Sequence, residues 1–131
     1  MATLFTKIIG GEIPARFIHQ DETAVAFLDV TPITDGHALV LPRREVSHWL
    51  DLTQDELHHL MDLAQRIGQA QKASFDCDRI GLLIQGYEVP HVHIHVWPTK
   101  STEDFRMDRR RGNADPAALD EAAQTLRTAL G

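Results

Sequence analysis

The chain has 131 residues, enough for one domain that buries roughly two-thirds of its unfolded surface without disulfide or metal staples. Lys and Arg total 13 against 19 Asp and Glu, a net charge of −6, which argues against a general nucleic-acid binder. The single Cys77 excludes an intramolecular disulfide and fits a reducing compartment, and no apolar run nears the roughly 18–20 residues that span a bilayer. The start, MATLFTKIIGGEIPAR, lacks a basic region followed by a long apolar core, so no signal peptide is expected and the expected location is cytoplasmic. One count stands out: eight histidines against one tyrosine.

Residues 3–9 predict a short helix stopped by Gly10-Gly11. Strands over 15–20 and 24–29 flank the polar Asp21-Glu22-Thr23 and read as a hairpin. Pro32 and Asp35-Gly36 mark a turn before an apolar strand over 37–41, closed by Pro42. The clearest helix covers 53–74. Thr53 and Glu56 fit a capping box, and Leu57, Leu60, Met61, Ala64, Ile67 and Gly68 recur at helical spacing. Strands over 79–85 and 89–97 follow, around Gly86-Tyr87-Glu88. After Pro98 the chain is polar until Asp115-Pro116 starts a terminal amphipathic helix carrying Leu119, Ala122, Ala123, Leu126 and Leu130. About five strands and two substantial helices, not regularly alternating, indicate a single α+β domain with an antiparallel sheet, a long central helix and a C-terminal helix. Residues 98–131 form its variable tail and helix.

The stretch from His91 to Trp97 alternates strictly between histidine and apolar residues. On a strand, Val92, Ile94 and Val96 face one side, and His91, His93 and His95 the other. A packed helix accounts for the apolar face. Three charged imidazoles in a row would repel, so the histidine face points to a metal or to phosphate chemistry. Two histidines at i and i+2 can share a zinc, with His37 or His91 as a third ligand. No Cys pair accompanies them, and Glu88 is the only nearby carboxylate of obvious ligand spacing.

The run HVHIHV resembles the histidine triad signature, His-φ-His-φ-His-φ-φ with φ apolar. LFTKIIGGEIPAR and VAFLDVTPITDGHALVLPRR, in matching order and spacing, are similar to the family's Hint-like branch, so the resemblance covers residues 4–98. It implies a homodimeric α+β fold that binds a purine nucleotide and cleaves at the α-phosphorus, with no cofactor and no metal. It makes His93 the nucleophile, with His37 and His95 on the phosphate and His91 supporting the ring network. Asp29 would hold the ribose hydroxyls, and Ile13, Phe27 and Val30 would sandwich the base. Membrane and nucleic-acid partners are not expected.

The chain departs from that pattern in the connection Gln85-Gly86-Tyr87-Glu88-Val89-Pro90, which is short. Gln85 stands near the family's Asn, and Glu88 occupies the place of a Ser near the leaving group. A carboxylate there repels phosphate unless it is protonated or paired. One expectation is therefore that Glu88 is a raised-pKa acid toward the leaving group, or activates water in a second step. Thr3-Leu-Phe-Thr6 replaces the Cys-x-x-Cys of some members, so no structural zinc is expected. Arg43, Arg44, His19, His48, His58 and His59 read as solvated surface, Arg109 to Arg111 as a flexible basic loop, and Trp49 as a cover for the core. Three functions stay open on these residues: a nucleotide hydrolase or transferase, a zinc-dependent enzyme using the same strand, and a nucleotide-binding regulatory module with little turnover.

Overall fold

The computed structural model describes residues 2–131. Strands β1 (Phe17–Gln20), β2 (Ala24–Leu28), β3 (Ala38–Pro42), β4 (Arg79–Leu83) and β5 (Ile94–Thr99) form one antiparallel sheet in the order β1-β2-β3-β5-β4. The α+β class and the five strands match the sequence reading. Alternation splits the central strands between two cores. Ala24, Ala26 and Leu28 of β2 face one side, whereas Val25 and Phe27 face the other.

The larger core lies under two helices, α2 (Gln54–Ser74) and α3 (Pro116–Leu130). Leu60, Leu63, Ala64 and Ile67 of α2 and Ala122, Ala123 and Leu126 of α3 pack there with Val40, Ile94 and Val96. Fully burying a side chain such as Leu60 or Ile67 contributes about 1.5–3 kcal/mol, so this layer carries much of the fold. The stripe on α2 differs from the expected one at Met61, which is 40% exposed beside the open edge strand β4, and Leu63 is buried instead. On the other face the short helix α1 (Leu4–Ile9) sets Phe5 and Ile8 against Val25, Phe27, Leu39 and Leu41.

Three further expectations change. Strand β5 starts at Ile94 rather than Val89, leaving His91 to His93 in irregular chain, and it continues through Pro98 to Thr99. Pro98 is tolerated because β3 leaves the ladder at the Ala38–Val96 pair, so beyond that point β5 has only β4 beside it. Trp49 sits in a single 3-10 turn, 41% exposed, and does not cover the core. The basic run at 109–111 is not free. Arg111 donates its backbone N–H to the Pro32 carbonyl at 3.0 Å and its guanidinium to Asp35 at 2.9 Å, because the polar tail runs back along the 31–35 loop.

Both halves of the capping box on α2 are formed. Thr53 Oγ1 accepts the Glu56 N–H at 3.0 Å, and Glu56 Oε1 accepts the Thr53 N–H at 2.9 Å. A Thr53→Ala substitution should therefore cost about 1 kcal/mol. Urea denaturation should show a lower midpoint with an unchanged slope.

Candidate active site

The site begins in the loop between β2 and β3. Gly36 adopts φ +86°, and a Cβ there would fall 2.5 Å from the Phe75 ring, so only glycine fits on both counts. The buried Gln71 of α2 donates to the Gly36 carbonyl at 2.8 Å and to the Val96 carbonyl at 2.9 Å. One helix side chain thereby ties down the residue before His37 and the residue after His95.

From this anchor a chain of hydrogen bonds sets the imidazole tautomers. The Ile33 backbone N–H donates to His37 Nδ1 at 3.0 Å, so the proton of neutral His37 is on Nε2. His37 Nε2 lies 3.0 Å from His95 Nδ1 and donates to it. The proton of His95 must then be on its own Nε2. That atom is buried and has no protein partner, one of two such side-chain atoms among the described residues. Trp97 stacks on His37, ring centroids 5.4 Å apart, and Trp97 Nε1 donates to the Asp104 carbonyl.

His93 is set independently. Its Nδ1 lies 2.8 Å from the His91 carbonyl, which can only accept, so Nδ1 carries the proton and Nε2 the lone pair. His91 in turn donates from Nε2 to the Pro42 carbonyl at 2.8 Å, and its Nδ1 accepts from the Thr3 hydroxyl at 3.1 Å. Burial pushes all four rings below the ordinary imidazole range, His37 to about 3 and His95 to about 4, so near neutral pH they are uncharged. The repulsion that a charged histidine row would suffer does not arise.

His93 and His95 line a cavity of about 230 Å³ with Phe5, Phe27, Leu39 and Val89. Asp29 is at its wall, 3% exposed, with Oδ2 3.7 Å from His37 Nε2 and 3.8 Å from His95 Nδ1. Phe27 belongs both to the core and to the cavity, and Val30 lies at the cavity's edge, 60% exposed. Ile13 packs against the α1 core without lining the cavity. Gln85 reaches the site only through Glu88, to which it donates at 3.1 Å. Glu88 is paired: Arg110 Nη1 lies 2.9 and 2.6 Å from its two oxygens. The guanidinium thus neutralises the carboxylate that a phosphate would otherwise face.

Asp29, His37 and His95 are also the described residues that could hold a metal, one atom from each lying within 4.8 Å of the others. A cation there would have to break the His37–His95 bond and compete with Arg110, whose Nη2 is 2.7 Å from Asp29 Oδ2.

A family profile described as the HIT domain matches residues 10–102. The chain belongs to the HIT family. It is similar to proteins of widely separated organisms. An uncharacterised HIT-like protein of Methanocaldococcus jannaschii is 36% identical over 99 residues, covering 72% of this chain and 77% of the relative. The adenosine 5'-monophosphoramidase of Saccharomyces cerevisiae is 33% identical over 100 residues, 76% of this chain and 63% of the relative. Among solved structures, a zinc-bound histidine triad family protein from Mycobacterium smegmatis superposes with a TM-score of 0.84 at 30% identity, over 99% of this chain and 94% of that one.

In this HIT domain the four histidines, Asp29 and Glu88 lie near one another, and Ile13 and Gln85 stand outside the cavity. Ile33, Gln71, Thr31 and Arg110 were not anticipated. Thr31 carried a weak signal, since an Asp-x-Thr run favours side-chain to backbone bonding in turns. Arg110 carried none, being 81 residues from its partner Asp29.

The neutral rings couple folding to pH. Unfolded imidazoles titrate near 6.5. Between that pH and about 4 the unfolded chain therefore binds more protons than the folded one, and stability falls with acid. Chemical denaturation should give a smaller unfolding free energy at pH 5 than at pH 7. His37→Gln, whatever its stability at pH 7, should lose less over that interval. An undiminished loss would contradict the burial of a neutral His37.

Proposed function

We propose that the protein is a nucleotide hydrolase or transferase that forms a nucleotidyl–histidine at His93. One observation carries this reading: the unprotonated His93 Nε2 shares its cavity wall with His95, whose Nε2–H has no partner in the protein. A nucleophile and an unfilled donor side by side suit attack on phosphorus. His93 Nε2 forms the P–N bond as the bond to the leaving group breaks, and negative charge grows on the phosphoryl oxygens where His95 Nε2–H can donate. Water then cleaves the P–N bond and releases a nucleoside monophosphate. The His91 carbonyl accepts from Nδ1–H as the ring becomes cationic, so the intermediate is stabilised without a second base.

The substrate we infer is a nucleoside monophosphate joined through its phosphorus to an amine, ester or anhydride. The yeast relative, an adenosine 5'-monophosphoramidase, supports the amine as one leaving group. The apolar lining by Phe5, Phe27 and Leu39 suits a base, and Asp29 suits ribose hydroxyls. In the homodimer we infer, β4, one of the two edge strands, is the contact we favour, beside a groove lined by Met61, Gly68, Ile80 and Leu82.

A zinc-dependent reading is favoured by the Asp29–His37–His95 triangle alone. Its fit is poorer, because the ligand atoms already satisfy one another and Arg110. Stoichiometric zinc in purified protein, with activity lost on chelation, would favour it.

Intact-mass spectrometry after rapid mixing with adenosine 5'-phosphoramidate should show an adenylyl adduct, absent in His93→Ala. His95→Ala should lower kcat on the order of 10²–10³-fold, the usual effect of losing one preorganised donor. Because burial lowers the His93 pKa, the acid limb of kcat/KM should lie below pH 6.5. An adduct on another residue, or none with turnover intact, would sink the mechanism.

A further inference from the structure

Asp29 is the carboxylate that a ribose would need, and its acceptor directions are nearly all taken. Oδ1 accepts from the Thr31 N–H at 2.9 Å, the Thr31 hydroxyl at 3.0 Å and Arg110 Nη2 at 3.0 Å. Oδ2 accepts from Arg110 Nη2 at 2.7 Å. A carboxylate offers about four lone-pair sites across its two oxygens. Oδ1 is therefore saturated and Oδ2 has one direction left, whereas a vicinal diol needs two.

The guanidinium that fills Asp29 is held on every side. Arg110 Nε donates to the Thr31 carbonyl at 3.1 Å, Nη2 also reaches the Thr31 hydroxyl at 2.6 Å, and Nη1 makes both contacts to Glu88. The side chain is 18% exposed, so these charge-assisted bonds are only partly screened. Arg111 fastens the same segment to Pro32 and Asp35. With Arg110 lining it, the cavity of about 230 Å³ is below the roughly 300–1,000 Å³ usual for small-molecule sites.

We propose that Arg110 is a specificity gate, a guanidinium from the C-terminal segment that competes with ribose hydroxyls for Asp29. The proposal rests on the reading that Asp29 receives a ribose. A nucleoside must displace Arg110, and the free energy of opening is subtracted from its binding. A ligand without a diol has no need of Asp29 and leaves the gate shut. Glu88 is the second jamb: it holds Nη1 while Asp29 holds Nη2, which gives the Glu at this position a role independent of proton transfer.

Calorimetric titration with adenosine and with 2',3'-dideoxyadenosine separates the possibilities, since neither ligand carries a phosphate that would respond to the changed charge. Arg110→Ala should tighten adenosine by about 10- to 100-fold, the range expected when charge-assisted bonds no longer have to be broken. The dideoxy compound should bind both proteins alike. Glu88→Gln, which keeps Arg110 in place but loosens its clamp, should move adenosine in the same direction by less, and it serves if the Ala variant does not fold. Adenosine affinity that is unchanged or weaker in both variants, with binding retained, overturns the gate and leaves the nucleotide reading standing. Failure of adenosine and AMP to bind any of the proteins overturns the nucleotide reading and the gate with it.

Discussion

The backbone N–H of Ile33, donating to His37 Nδ1, is the contact from which the arrangement of the site follows. A backbone donor cannot become an acceptor, so the tautomer of a buried neutral imidazole beside it has no freedom. His37 must donate from Nε2, His95 must accept at Nδ1, and the last proton in the line is left, buried and without a protein partner, on His95 Nε2. The direction of this relay is the reverse of one that would present a lone pair to the cavity. Gly36, Phe75 and Gln71 serve the relay by holding the loop and β5 in register, and Trp97 stacks against its middle ring.

The acidic balance of the chain and its inferred handling of phosphate are compatible because the two operate at different ranges. Net charge acts at a distance and is screened beyond roughly 8–10 Å. Inside the cavity the donors are uncharged imidazoles, kept neutral by burial, and no full positive charge has to be desolvated to meet an anion. Arg110 is the exception, and two carboxylates already flank it. Removing Asp29 and Glu88 would leave a partly buried cation beside the histidines. Removing Arg110 would leave two unpaired acids, Glu88 facing the phosphate and Asp29 the ribose.

How much of this was legible in the sequence depends on range. The alternation of HVHIHV survives in space even though the regular strand begins only at Ile94, because extended chain with or without ladder bonds keeps the same two-residue period. The capping box at Thr53 and Glu56 and the turn at Gly36 are local and were readable for the same reason. Met61 was misassigned because a helical stripe gives the face but not the width of the surface it meets, and β4 is an edge. The largest omission, Arg110, has a different origin. An arginine among arginines in a polar tail has no periodic or turn signature, and which of Arg109, Arg110 and Arg111 enters the site is decided by where the Arg111 N–H meets the Pro32 carbonyl.

The His91 carbonyl leaves His93 with a free lone pair, and the Ile33–His37–His95 relay leaves His95 with an unpartnered proton on the same cavity; both states can be read directly from ring nitrogens. Long-range ¹H–¹⁵N correlation spectra near pH 7.5 on uniformly labelled protein distinguish protonated from unprotonated imidazole nitrogens. His93 is expected as the Nδ1–H form and both His37 and His95 as Nε2–H forms, each a single neutral tautomer. His93 in the Nε2–H form, or His95 in the Nδ1–H form, would contradict it.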